Sequence, residues 1–242
     1  MGLHFLVLQH TEWEGPGTFL IKAARRFKLQ LHIVRAWQER IPLLSSYDGL
    51  IVLGGSPNVG QVDKYPFLNA EKEAIRNCIA ENRPYLGFCL GHQLLAEALG
   101  ARIDMNFMPS IGFTKGYLTC EGCRHPVFSG FQRIFTLFKW HSQAIQEPLP
   151  KNISLLVTSK ECQIEAISVY ERPHIVGLQF DNHAASLTDV KQWLQRDETW
   201  LKELLGDSLN SRNILESAQQ LQNIMADEFN SFFHNYLHII GY

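Results

Sequence analysis

Pro84-Tyr85-Leu86-Gly87-Phe88-Cys89-Leu90-Gly91-His92-Gln93 passes from a short apolar run to a helical pattern with no polar loop between them. Pro84 to Phe88 reads as a buried strand, and Leu90 to Leu99 as a helix with Gly100 in the position that follows a helix end. Gly-Xaa-Cys-Xaa-Gly at such a junction is the pattern of a nucleophile elbow. The turn is so tight that side chains on its flanks would clash, hence the two glycines, and it lifts the central side chain above the sheet edge. Sulfur would then stand at a helix N-terminus, where free N–H groups and the dipole favour thiolate. The Leu90 N–H would be free to hydrogen-bond an oxyanion. A buried structural cysteine is the common alternative, but Gly-Xaa-Cys-Xaa-Gly followed by His-Gln arises by chance at roughly one in 10⁵.

The pattern around this segment repeats. Phe5–Leu8, Leu31–Val34 and Leu50–Leu53 are apolar runs of strand length without polar alternation, as expected where both sheet faces are covered. Residues 18–27 and 67–82 carry helical spacing. Alternating strands and helices predict βαβ units and a parallel sheet. The third run leads straight into Gly54-Gly55-Ser56, a second turn able to offer oxyanion N–H groups. From about Ile111 to Phe180 strand-like runs dominate: 112–118, 134–139, 154–158, 164–170 and 174–180. Beyond Ser186 the chain reads as helical, with a long apolar stripe from Ile214 to Tyr236 expected to face the core. The fold class is therefore α/β: a doubly wound, mostly parallel, flavodoxin-like sheet with extra strands and a helical C-terminal addition. We expect one domain over 1–242, with a core over 1–186 and a helical extension over 187–242.

Composition narrows the function classes. Of 242 residues, 45% are hydrophobic and 19% charged, which is ordinary for a folded globular chain. With 22 basic against 24 acidic residues the net charge is -2, without the basic excess of a nucleic-acid binder. No apolar run reaches the length of a membrane span, and Met1 to Phe5 does not resemble a signal peptide. Five cysteines do not suggest a disulfide framework, so a cytoplasmic location is expected. Cys120-Glu121-Gly122-Cys123 with His125, even with Cys162 added, is only half a zinc pattern, so no metal is expected. Gly54–Gly60 lacks the Lys-Ser/Thr of a phosphate loop, and no organic cofactor is expected.

Gly87 to Ala96 resembles the nucleophile segment of class I glutamine amidotransferases, in particular free-standing proteins similar to the glutaminase domain of GMP synthase. The likeness spans about residues 3–186 and takes in Asp48–Gly55, Ile111-Gly112, Lys139-Trp140-His141 and Gly177-Leu178-Gln179-Phe180. It implies that Cys89 attacks the side-chain amide of glutamine, that a thioester forms and that ammonia leaves for an acceptor. It further implies the Gly55 and Leu90 N–H groups as the oxyanion hole, Gln93 against the substrate, and a separate synthase chain as the ammonia-consuming partner.

The chain departs from this family in the segment that supplies the base. Gly-Xaa-Gln-Phe-His-Xaa-Glu is the usual line, whereas here Gly177-Leu178-Gln179-Phe180 is followed by Asp181-Asn182-His183. Imidazole and carboxylate have exchanged places. A carboxylate beside Cys89 raises the thiol pKa by like-charge repulsion. Three readings follow. His183 reaches Cys89 with support from Asp181, as i and i+2 residues do on a continuing strand; or His141, less readily His10, substitutes; or hydrolysis has been lost and the fold persists as a ligand- or partner-binding module. Gln143 stands where an acidic residue is usual, and Glu165 where glutamine is common. The substrate is accordingly glutamine, or another amide or γ-glutamyl compound handled by a cysteine hydrolase.

Overall fold

The computed structural model describes residues 2–242. In chain order the elements are β1 (His4–Gln9), α1 (Gly17–Arg26), β2 (Gln30–Arg35), β3 (Gly49–Val52), α2 (Phe67–Ala80), β4 (Tyr85–Phe88), α3 (Leu90–Ala98), β5 (Arg102–Leu118), α4 (Cys120–Arg124), β6 (Ile134–Gln146), β7 (Ile153–Ser159), β8 (Ala166–Val169), β9 (Arg172–Leu178), α5 (Leu187–Arg196), α6 (Glu198–Leu205) and α7 (Ser211–Ile239). One nine-stranded sheet runs β2-β1-β3-β4-β9-β8-β7-β5-β6. From β2 to β9 the pairs are parallel, and from β9 to β6 they are antiparallel. The sheet is thus mixed: the doubly wound half carries the βαβ units, and the extra strands extend it past β9.

The uninterrupted apolar strands have a direct cause. Phe5, Val7, Ile51, Leu86, Phe88, Val176 and Leu178 face a core closed by α1, α5 and α7. Leu6, Leu8, Leu50, Val52, Tyr85 and Ile175 face the opposite core with α2 and α3. Side chains alternate between faces along a strand, so only a sheet buried on both sides tolerates every position being apolar.

The apolar stripe of the C-terminal region faces inward as expected. Met225, Phe229, Phe232, Phe233 and Tyr236 on α7 are buried, Phe229 stacks on Phe233, and the Tyr236 hydroxyl donates to His174 O on β9 at 3.1 Å. The helix therefore covers the same sheet face as α1. β5 is longer than its sequence pattern suggested, because it begins at Arg102, ahead of an irregularity in its pairing with β6 between Met105 and Ser110. Among the described residues no helix is long and apolar enough to cross a membrane.

Phe233 fills the centre of the α7 contact at 0% exposure. Phe233→Ala is expected to lower stability by about 3–5 kcal/mol, the range for a large buried aromatic, read as a drop in the urea midpoint with an unchanged slope.

Candidate active site

Parallel strands β1, β3, β4 and β9 end on one edge of the sheet, where doubly wound folds place their ligands. Each end contributes a group: the His10–Glu14 loop, the Gly54-Gly55 turn, Cys89, and Gln179 to Asp181. The elbow is built as its glycines require. Cys89 has φ 45° and ψ −101°, a strained backbone for a residue with a side chain. A Cβ on Gly91 would come 2.2 Å from Val52 O, and one on Gly87 2.6 Å from the Gly91 carbonyl carbon. Cys89 N donates to Leu178 O at 2.8 Å and the Tyr85 hydroxyl to Gly91 O at 2.7 Å. The first bond ties the turn to β9 and the second ties it back to the start of β4, while Gly91 N donates to Leu53 O at 3.3 Å just past the end of β3.

Around the sulfur, Gln179 Nε2 lies 3.6 Å from Cys89 Sγ. Gln93 Nε2 donates to Gln179 Oε1 at 3.1 Å and to Gln143 O at 3.0 Å. The expected substrate-side Gln93 thus reaches Cys89 through Gln179, a residue of the Gly-Leu-Gln-Phe motif for which sequence supplied no role. The bare Cα of Gly54 lies between three groups. A Cβ there would be 3.3 Å from Asp181 Oδ1, 3.3 Å from Cys89 Cβ and 3.4 Å from Glu14 Oε2. Asp181 therefore stands beside Cys89, and Glu14, which sequence reading missed, joins it.

The structure does not link His183 to Cys89. β9 ends at Leu178, so the i, i+2 geometry of a continuing strand is lost. Asn182 accepts from Phe138 N at 2.8 Å and donates to Thr136 O at 2.9 Å, fastening the turn to β6. His183 is then carried under the sheet, its ring 4.1 Å from that of Phe88 and its Nδ1 without a partner. Burial alone pushes its pKa down to about 3.

Neither substitute histidine bonds to the sulfur: His141 keeps a buried Nε2 without a partner, and His10 is engaged elsewhere. His141 lines the cavity beside Cys89, but its Nδ1 contacts Gln143 O at 2.9 Å. Burial, with the Lys139 ammonium adding to it, holds its pKa at about 3. His10 uses both nitrogens, Nδ1 at 2.8 Å from Gly54 O and Nε2 at 2.7 Å from Glu71 Oε1. Burial would lower its pKa, yet the Glu71 carboxylate outweighs this and raises it. A Cβ on Gly55 would strike His10 Cβ at 2.5 Å, so His10 braces the turn that bears the Gly55 N–H.

Charge at the site is unusual for a thiol nucleophile. Burial raises the Cys89 pKa well above the thiol range, and Asp181 and then Glu14 push the same way; a bond from the Leu90 N–H opposes them. Asp181 is raised well above the carboxylate range by burial and by Glu14, and its Oδ1 has no partner. Glu14 is pushed up to about 8, first by burial and then by Asp197, against hydrogen bonds from Thr11 and Ser56 and the charge of His10. Each of these shifts favours the neutral form of its group, so the neighbours of Cys89 do not promote a thiolate.

Cys120 and Cys123 are exposed and Cys162 is buried, so the half zinc pattern does not assemble. His141, Cys162 and Glu165 instead bring ligand-type atoms within 4.8 Å of one another. Lys139 Nζ, at 2.5 Å from Glu165 Oε1, already supplies the cation there, which leaves little reason for a metal ion.

A doubly wound sheet with a glycine-flanked elbow at its strand ends is a fold of the class I amidotransferase type. Residues 17–184 match the model of the class-I glutamine amidotransferases, and the chain belongs to that family. Over 167 residues it is 31% identical to the glutamine amidotransferase-like protein YfeJ of Salmonella typhimurium, covering 67% of this chain and 68% of that one. It is 31% identical over 139 residues to a subunit of the glutamine-hydrolyzing GMP synthase of Methanocaldococcus jannaschii, covering 56% of this chain and 64% of that one. A glutamine amidotransferase structure from Thermotoga maritima superposes with a TM-score of 0.87 over 100% of both chains at 23% identity, which speaks for the fold.

Two outcomes follow from these charges. Cys89 alkylation should show an apparent pKa above the ordinary value of about 8.5, unchanged in His183→Ala and lowered in Asp181→Asn. For stability, Glu14 in the folded chain keeps until about 8 a proton that the unfolded chain gives up near 4.5. Its contribution is complete below 4.5 and is lost as pH rises to about 8. Urea titrations between pH 6.5 and 8 should therefore show falling stability, and Glu14→Gln should flatten the fall.

Proposed function

We propose that this chain is a ligand-binding member of the class I amidotransferase family in which Cys89 rests as a neutral thiol and does not turn over glutamine at neutral pH. One observation carries this reading: the buried Asp181 carboxyl stands beside Cys89, with no imidazole hydrogen-bonded to the sulfur, while the His183 ring packs against Phe88. Thioester formation needs the thiol proton to leave as sulfur attacks the amide carbon, and then a proton for the departing ammonia. A neutral carboxyl cannot take the first proton, and an ionised one that takes it becomes neutral, leaving no opposite charge beside the thiolate.

The cavity beside Cys89, about 250 Å³, is the place for the ligand. The glutamine chain Gln93–Gln179 suits an amide, which offers both an acceptor and donors. Five free thiols fit a reducing, cytoplasmic setting.

A second reading keeps the hydrolase. The strained Cys89 backbone is retained, a costly feature with no evident packing role. Above the thiol pKa, Cys89 could open a glutamine-type amide through a thioester and release ammonia to a separate synthase chain. Relatives named as subunits of a glutamine-hydrolyzing GMP synthase make that partner the natural one to test.

Ammonia release from glutamine at pH 7 should be indistinguishable between the unaltered chain and Cys89→Ala. A rate at least ten-fold above Cys89→Ala would establish the hydrolase instead. A difference that emerges only above pH 9 would mark Cys89 as competent but unactivated.

A further inference from the structure

The cavity beside Cys89 has a second end, built by the C-terminal helices. Asp197, between α5 and α6, lines it together with Trp200 on α6, Glu14 and Trp140. Asp197 accepts from Trp13 Nε1 at 3.0 Å on one oxygen and from Trp140 Nε1 at 2.9 Å on the other. Its two indole donors are neutral. Glu14 is 7% exposed, and no Lys or Arg lies within 4 Å of either carboxyl among the described residues. Asp181 Oδ1, buried and without a partner, lies next to Glu14 across Gly54. Lys64, the remaining charged residue on the lining, is exposed and lies over the Tyr65 ring, its Nζ 5.1 Å from the ring centre.

We propose that this cavity takes a primary amine, seated as an ammonium between Glu14 and Asp197, with Trp140 and Trp200 on the cavity wall. The inference rests on the reading of the Cys89 cavity as the ligand site, and it names the chemistry of the ligand's far end. His10 is the one titratable base that acts on Glu14, no Lys or Arg among the described residues reaches either carboxyl, and an ammonium ion seated between them would serve both at once. Aromatic walls add attraction for a cation that has lost water. A free amino acid is a poor occupant, because its α-carboxylate would meet the same two carboxyl groups. The fitting ligand is an ω-amino amide, with an amide at the Cys89 end and an amine, free of any adjacent carboxylate, at the other.

Because Glu14 holds its proton to about 8, seating an ammonium beside it should drive that proton off. Ligand entry is then coupled to proton release, which a merely apolar pocket would not produce.

The test uses three probes on the intact chain by calorimetry: 5-aminopentanamide, hexanamide as its uncharged isostere, and glutamine. We expect 5-aminopentanamide to bind at least ten-fold more tightly than either other probe. At pH 7 its binding should release a fraction of a proton, seen by comparing buffers of different ionisation enthalpy. Glu14→Gln and Asp197→Asn preserve shape, and each should reduce the preference at least several-fold, with proton release lost in Glu14→Gln. Prior alkylation of Cys89 at high pH should block all binding. Equal affinity for 5-aminopentanamide and hexanamide, both blocked by alkylation, would overturn the amine inference and leave the ligand site standing. Binding that survives alkylation, or no binding by any probe, would overturn both. Ammonia release from a bound probe would instead count against the non-hydrolysing reading alone.

Discussion

The first turn of α3 packs so closely on β3 that a single methyl group at position 91 would overlap Val52 O. This approach fixes where β4 must stop, sets the backbone of Cys89 in its strained turn and aims the sulfur over the sheet edge. The β9 end is tied in by the Cys89 N–H to Leu178 O, and the β1 end by His10 against the Gly54-Gly55 turn. Four strand ends are thereby held around one thiol. The geometry is local, made of backbone contacts, and survives whatever side chains surround it.

That independence explains how a family frame can carry altered chemistry. Scaffold and elbow depend on glycines and strand termini, whereas the ionisation of Cys89 depends on its neighbours. Here those neighbours are Asp181 and Glu14: burial disfavours the charged form of all three, Asp181 and Glu14 both push the Cys89 thiol up, and Glu14 pushes Asp181 up. An imidazole in place of Asp181 would be a proton acceptor that turns positive as the thiol turns negative. A carboxyl group provides no such exchange of sign. On the reading proposed above, the site receives a cation more readily than it makes an anion.

Much of this was legible in the sequence, and for physical reasons. Continuous apolar strands announce a sheet covered on both faces, and Gly87-Phe88-Cys89-Leu90-Gly91 can be read because only glycine fits two of its positions. The Asp181/His183 exchange is likewise visible as residues. Its outcome was not visible, because the strand ends at Leu178 and Asn182 fastens the turn to β6, which sends His183 beneath Phe88. No period or spacing encodes that. Glu14 and Asp197 were missed for a similar reason: each is a single acidic residue in a loop, and they meet only because strand β1 and the α5–α6 corner converge on one edge. Gln179 lay inside a recognised motif, yet its bond to Gln93 depends on the side-by-side placement of α3 and β9.

The packing of α7 has a consequence for how the molecule is made. β1, β4 and β9 have their companions early in synthesis, but the aromatic cover over one side of them comes from residues 211–239. Until that helix emerges from the ribosome, Phe5, Phe88 and Leu178 form part of an open apolar surface. A nascent chain can therefore pair its strands and even form its elbow, yet it stays adhesive until the final helix docks. A chain that stopped at residue 210 would lack this cover, however well its strands had paired.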